Sequence, residues 1–530
     1  MTTLNGLLDR AAQEGGEKTA YVIGARRLSF AQVYADVLSV AEGLRAEGVR
    51  KGDRVAIVHR NGPEFVVAYF ALSRLGAIAV PINFMVQKPD ELAYMLRDCG
   101  ALGVVTQAEF LPGLLGAAAK CPALKALWLT DESPKGDISN PIAREFASLR
   151  RPAPAPFGPD AAVETDVAAI LYTSGTTGFP KGVMLTHRNL MTNCESSIKR
   201  ILLTRRDVTL CILPMFHSFA WTALVLTSLR LTLKSVISPA IAPPKPWLKA
   251  MGAEGVTLFA AVPQVYAALG REARDFKTRL FLKLYSFRKV RIGVSGAAPL
   301  AAATAQAFKD TVGVSIIEGW GLTETSPVAT VTPPEDIRFG FVGTPIDGVR
   351  LKIVDDEEKE LALGQEGEIC VKGDNVMKGY WGLPEATAAA FTKDGWLKTG
   401  DVGVLDADGF LAIRDRKKDM IIVKGLKVFS AQVEALIAEN PNIEESAIVG
   451  VPDESGDETS KAFVVLKKGC VLEKTALMQF FREKLDAYKR PRDVEIVESL
   501  PKNALQKVLK RELRQRELDK ARVPAGKKDA

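Results

Sequence analysis

At 530 residues the chain exceeds what one hydrophobic core usually serves, and 47% hydrophobic with 25% charged residues describes a globular protein of two or more domains, not a disordered or fibrous one. Six cysteines without any Cys-x-x-Cys pair and three distant histidines, His59, His187 and His217, exclude a disulfide framework and a histidine-based zinc centre. The formal charge of +7 does not mark a nucleic-acid binder, because much of the excess lies after residue 501, where ten Lys and Arg residues meet four acids, as on a solvated helix face.

The opening residues carry acids and no basic-then-apolar layout, so no secretory signal is expected. The most apolar later stretch, 221–242, is interrupted by Arg230 and Lys234, so no membrane span is expected either. From about residue 50 to 320, short β-branched runs alternate with helical patterns, which predicts a parallel α/β architecture. The predicted strands are 54–58, 77–80, 102–106, 208–213, 257–261, 290–295 and 315–318. From about 340 the strands become closely spaced with Gly and Asp turns, including a hairpin around Asp408-Gly409, which predicts a small β subdomain to residue 414. A charged cluster, residues 415–419, precedes an α+β pattern to the end. The expected fold class is therefore α/β: a large N-terminal domain, 1–414, of parallel α/β subdomains plus the β subdomain, hinged at Lys418 to a small α+β C-terminal domain, 415–530.

The most informative stretch is 171–182, LYTSGTTGFPKG. An apolar strand empties into small hydroxyl residues and glycines, and a second strand follows. Gly175 and Gly178 let backbone N–H groups approach phosphate oxygens, Thr173, Ser174, Thr176 and Thr177 add hydroxyl donors, and Lys181 adds charge. The pattern G-x-x-x-x-G-K-[ST] finds no register here, so this is a different phosphate cradle, a strand–loop–strand element with Thr186 as cap of the next helix.

The string resembles the signature of the adenylate-forming superfamily: acyl-CoA synthetases, firefly luciferase and the adenylation domains of peptide synthetases. Residues 48–82 also look like that superfamily's opening domain and read as packing. Residues 318–325, EGWGLTET, resemble the aromatic-Gly-x-Thr-Glu motif, which implies that Trp320 stacks on adenine, Thr323 meets the α-phosphate and Glu324 holds Mg²⁺. Glu318, Gly319 and Gly321 join the nucleotide contacts by the same resemblance, and Thr173 joins Glu324 at the metal. Chemically the set is coherent, since a hard cation takes a carboxylate oxygen and a phosphate takes a hydroxyl donor. Residues 399–401, Thr-Gly-Asp, resemble the ribose motif, with Asp401 accepting from both hydroxyls and Arg416 as its partner contact. Residues 500–507 align with the catalytic-lysine loop, making Lys507 the bridge between carboxylate and α-phosphate. Gln506 stands where the family usually has glycine.

Amino-acid-activating members usually place an aspartate in the segment that here reads PMFHSFAW, residues 214–221, and this chain has His217. That resembles fatty-acyl and aryl-CoA ligases. His217, with a catalytic part as well, and Trp221, Ala260, Ala261, Val262, Gly296, Ala297 and Ala298 are expected to line a small-walled apolar acyl pocket. Lys424 and Gly425 match the place where CoA ligases pass pantetheine, and Lys427 is a further phosphate contact. The resemblance implies a cytoplasmic, monomeric or homodimeric ligase using ATP, Mg²⁺ and CoA on a fatty acid, without nucleic acid. Peripheral association with a membrane is left open. The alternatives are an aryl-CoA ligase, an acyl-AMP ligase that does not use CoA, and a nucleotide-binding protein without turnover.

Overall fold

The computed structural model describes residues 3–131, 140, 142–154, 162–173, 180–423, 426–452, 458–502 and 508–522. The chain divides into two compact units, Met1–Leu351 with Val371–Leu397, and Lys352–Cys370 with Lys398–Ala530.

The first unit is built on two large, mostly parallel sheets. One runs in the order Gly379–Tyr380, Lys181–Thr186, Val167–Thr173, Ile78–Pro81, Arg54–Val58, Gly103–Thr106, Ala126–Leu129, Ala143–Glu145. The other places Val328–Val331, Ile316–Gly321, Ile292–Ser295, Leu258–Ala261, Val208–Cys211 and Lys234–Ile237 side by side, with Thr344–Pro345 at one edge and Thr19–Ile23 and Arg26–Ser29 at the other. All seven predicted strands are present, because buried parallel strands read as short β-branched runs between helices. The helix Pro63–Arg74 is buried on every side, as its all-round apolar sequence requires. It carries Phe65, Tyr69 and Phe70, and each large side chain removed from water there contributes about 2–3 kcal/mol.

The second unit carries the four-stranded sheet ordered Arg350–Val354, Gly367–Lys372, Leu397–Leu405, Leu411–Arg416, including the hairpin expected around Asp408-Gly409. It continues into the hairpin Ile421–Val423 with Leu426–Val428 and the three-stranded sheet Ile443–Pro452, Glu458–Leu466, Asp493–Ile496, whose core includes Val433, Ile437, Leu477 and Phe481. The cluster 415–419 lies inside this unit. Lys417 is held there by Glu368 at 3.1 Å and Asp356 at 2.9 Å, and Asp415 by the Ser430 hydroxyl at 2.8 Å. Among the described residues no helix is long and apolar enough to cross a membrane.

Candidate active site

In the first unit, Val167–Thr173 pairs antiparallel with Lys181–Thr186, and the register sets Thr173 opposite Lys181 and Tyr172 opposite Gly182. The cradle residues between these two strands, Ser174, Gly175, Thr176, Thr177 and Gly178, lie outside the described residues. Gly182 carries no side chain because a Cβ there would meet Ile170 Cγ2 at 2.7 Å. Thr186 caps the helix His187–Arg200, accepting from the Asn189 N–H at 3.1 Å while Asn189 Oδ1 accepts from the Thr186 N–H.

The short strand Gly379–Tyr380 lies along Lys181–Thr186, with Tyr380 opposite Val183. This sets the Lys181 ammonium 5.0 Å from the centre of the Tyr380 ring, a cation–π contact, and the Tyr380 hydroxyl donates to Glu324 Oε1 at 3.0 Å. Burial, with the Glu324 carboxylate beside it, pushes the Tyr380 phenol well above its ordinary value, so it stays a donor. A cation from the cradle and a carboxylate from the Thr323–Thr325 turn thus converge on one ring.

Three asparagines pin the turn and the segment that leads to Tyr380. Asn193 and Asn375 both donate to the carbonyls of Thr325 and Val328, and Asn189 donates to those of Asp374 and Val376 at 2.7 and 2.8 Å. The Glu324 carbonyl accepts from the Met377 N–H at 2.8 Å. One helix, His187–Arg200, therefore sets both the turn and the segment that leads to Tyr380. Sequence reasoning missed Tyr380 and all three asparagines; the only available signal was Asn189 three residues after the Thr186 cap.

The strands Leu258–Ala261, Ile292–Ser295 and Ile316–Gly321 are adjacent and parallel, so Val262, Gly296 to Ala298, and Glu318 to Gly321 line up along one set of carboxyl ends, the usual crevice of such sheets. Ala260, Ala261 and Val262 are buried, and Ala297 is held at φ 70°, a strained value for a residue with a Cβ. Gly296 faces the Phe219 ring, which a Cβ would meet at 3.3 Å, so this strand end abuts the segment that His217 begins. His217 Nδ1 accepts from the Phe219 N–H at 3.2 Å, which puts the proton of a neutral ring on Nε2. Asn61, also unforeseen, fixes that segment by donating to the Leu213 carbonyl and accepting from the Met215 N–H at 2.7 Å. Trp221 is 3% exposed and stacked on Tyr69 at 3.9 Å, between Phe65 and Phe70. Trp320 is half-buried opposite Thr330 on the neighbouring strand.

Glu318 is the unusual acid of this crevice. Burial pushes its carboxyl up to about 7, opposed only by the Leu300 N–H donating at 3.3 Å. A carboxyl raised in the folded state contributes no penalty while it is neutral in both states, and costs stability as pH rises from its unfolded value through about 7. Glu318→Gln keeps the acceptor without the charge. It is expected to match the parent near pH 5 and to exceed it near pH 8 by up to about 3 kcal/mol in urea unfolding. A stability difference that does not change between the two pH values would remove the ionisation from the account.

In the second unit, Asp401 and Arg416 are register partners across an antiparallel pair, with Arg416 Nε 3.3 Å from Asp401 Oδ1. The two expected ribose contacts are therefore brought together. Burial, then the neighbouring Arg416, lowers the Lys418 ammonium below its usual value. Lys427 is exposed opposite Ile422 and lines a cleft of about 240 Å³ with Lys417, Asp356 and Glu368. Lys424, Gly425 and Lys507 lie outside the described residues. The flanks of the lysine loop are described: Lys502 bridges Val508, and the Leu509 N–H donates to the Pro501 carbonyl at 2.8 Å.

Among the described residues no cluster of three or more His, Cys, Asp or Glu could enclose a metal. One carboxylate with nearby hydroxyls suits Mg²⁺, which keeps waters and takes its remaining oxygens from nucleotide phosphates. A parallel-sheet fold that brings Lys181 and Glu324 onto one tyrosine ring suits a nucleotide-using enzyme. Residues 8–381 match the AMP-binding enzyme family and residues 432–507 match the AMP-binding enzyme C-terminal domain, so the chain belongs to that family. It is 34% identical to a long-chain-fatty-acid–CoA ligase of Bacillus subtilis over 98% of this chain and 95% of that one. It is 35% identical to a feruloyl-CoA synthase of an Amycolatopsis species over 96% and 97%. Among solved structures it resembles the anthranilate CoA ligase AuaEII in complex with anthranoyl-AMP, with a TM-score of 0.88 at 30% identity, covering 98% of each chain.

Proposed function

We propose that the protein is an ATP-dependent acyl-CoA synthetase acting on medium- or long-chain fatty acids. The observation that carries this is the convergence of Lys181 and Glu324 on Tyr380 beside Thr173, which offers a cation and a carboxylate to one polyphosphate. In the first half-reaction a carboxylate oxygen attacks the α-phosphorus of ATP and pyrophosphate leaves. In the second the CoA thiol, losing its proton, attacks the acyl carbonyl and AMP leaves.

The chain's residues divide the work. Lys181 and the loop 174–178 hold the outer phosphates, Thr323 donates to the α-phosphate, Trp320 covers the adenine, and Asp401 accepts from the ribose hydroxyls with Arg416 beside it. Glu324 and Thr173 would hold Mg²⁺, which supplies charge neutralisation on the phosphates. His217, Ala260, Ala261, Val262, Ala297 and Ala298 bound the acyl group, small and apolar and with no carboxylate to receive an α-ammonium group. Lys424 and Gly425 serve the CoA step, and Lys427 meets phosphate in the first half-reaction. The same reading has the enzyme cytoplasmic, as a monomer or homodimer.

An aryl-CoA ligase is the second reading, favoured by 35% identity to the feruloyl-CoA synthase beside 34% to the long-chain-fatty-acid–CoA ligase. Pyrophosphate release across a carboxylate panel, with and without CoA, with mass spectrometry of the thioester, decides between them. Fatty acids are expected to outperform acetate and every α-amino acid in kcat/KM. A cinnamate or benzoate at the top of the panel gives the aryl reading, adenylate without thioester gives an acyl-AMP ligase, and no pyrophosphate from any acid removes catalysis.

A further inference from the structure

One surface of the first unit has no place in that chemistry. The helix Phe276–Phe281 runs on as a wider π-helical turn, Leu282–Ser286, eleven residues in all. Its inner face is anchored: Leu282 and Ser286 are 1% exposed, and Phe287 packs edge-on against Phe259 at 5.1 Å and Phe308 at 5.3 Å. Its outer face should then be polar, but Phe276, Leu280 and Leu284 are 74%, 46% and 61% exposed. Their spacing of four residues places them on one stripe. The Tyr285 ring lies against Gly252 of the neighbouring helix Lys245–Glu254, where a Cβ would meet it at 2.4 Å, so this presentation is built into the packing.

The charge around the stripe is mostly positive. Arg274, Lys277, Arg279, Lys283, Arg288 and Lys289 are all exposed, and Asp275 is the one acid between residues 274 and 289. Arg279 and Arg288 donate to backbone carbonyls, of Asp310 and Gly252, and none of the six has a carboxylate partner among the described residues. By contrast Arg291, just beyond, is paired with Asp207 at 2.8 Å. An apolar stripe one helix wide, flanked by unpaired cations, is the pattern of an interfacial helix. A stable protein partner needs about 800 Å² from each side, more than three exposed side chains supply, whereas an anionic bilayer needs only their insertion and the field of its headgroups.

We propose that this face docks the protein on an anionic lipid bilayer, with Phe276, Leu280 and Leu284 entering the headgroup boundary and the flanking cations at the phosphates. The inference goes beyond the synthetase reading and does not depend on it, since docking needs no substrate. Under that reading it places the enzyme where a long-chain acid partitions.

The test is co-sedimentation of the full-length protein with phosphatidylcholine vesicles containing phosphatidylglycerol, against pure phosphatidylcholine. Binding is expected to the anionic vesicles only and to fall as salt rises. Each cation near such a surface raises binding about fivefold, so Lys277→Glu with Lys283→Glu is expected to weaken it at least about tenfold. Phe276→Ser with Leu284→Ser is expected to weaken it on the same vesicles, with unfolding temperature and turnover of a short, soluble fatty acid unchanged in both variants. A parent that does not bind anionic vesicles, or variants that bind as the parent does, overturns the proposal. So does stripe-dependent self-association without vesicle binding, which would put a second copy of the chain on this face.

Discussion

Lys507→Ala is expected to lower the rate of acyl-AMP formation by about 10²-fold or more, the scale of a lost electrostatic stabiliser. The first half-reaction brings a carboxylate against an α-phosphate, two anions whose repulsion a positioned ammonium cancels. The second has no such need, because the adenylate is already formed and a thiol must approach the same carbonyl. Supplied with synthetic acyl-AMP and CoA, the variant is therefore expected to form thioester at close to the parent rate. The split follows if the segment around Lys418 turns to present Lys507 first and Lys424 with Gly425 second. The base of the loop is anchored: Lys502 and Val508 form a backbone bridge, and Lys502 Nζ meets Glu445 at 2.5 Å. Gln506, where the family usually has glycine, leaves the charge of Lys507 in the sequence. Equal loss of both half-reactions in protein shown to be folded would make Lys507 a structural residue.

The chemistry was legible in the sequence wherever it was written in consecutive residues. The two strands that flank the cradle, the Thr186 cap and the Asp408-Gly409 hairpin each rest on a local rule, and each appears in the structure at its expected place. What stayed hidden acts across long separations. Tyr380 reaches Glu324 from 56 residues away, and Asn193 reaches Val328 from 135, through side-chain bonds that leave no periodic trace. Trp221 is a further case: it stacks on Tyr69 at 3.9 Å, far away in sequence, and no local pattern reports that contact. The wider π-helical turns at Trp221–Leu226 and Leu282–Ser286 likewise follow from tertiary packing that no 3.6-residue pattern reports.

Lys510→Met is expected to destabilise the second unit by about 3–5 kcal/mol near pH 8, the cost of leaving buried charge without its partner. Lys510 opens the helix Lys510–Arg522 and lies in a pocket of acids: its Nζ is 2.7 Å from Glu434 Oε1 and 2.7 Å from the Ser430 hydroxyl, which itself donates to Asp415. Burial holds both Asp415 and Glu434 above the usual carboxylate range, and the lysine works against that rise in each case. Without the ammonium both carboxyls rise further and stay protonated more readily in the folded state than in the unfolded one. Stability is then retained at low pH and lost as pH increases through the raised values, so the deficit is expected to be smaller near pH 5 than near pH 8. Urea unfolding at the two pH values reads this directly. Adding Glu434→Gln to Lys510→Met removes one of the orphaned charges and keeps an acceptor for the Ile448 N–H, which now donates to Glu434 at 2.7 Å, so the double variant is expected to recover part of the loss. The consequence for catalysis is positional. Asp415 precedes the proposed pivot and Ser430 follows it, while Lys510 stands three residues after Lys507, so the cluster ties the base of the lysine loop to the strand entering the pivot. A pH-independent deficit below about 1 kcal/mol would assign the cluster to solvated surface charge instead.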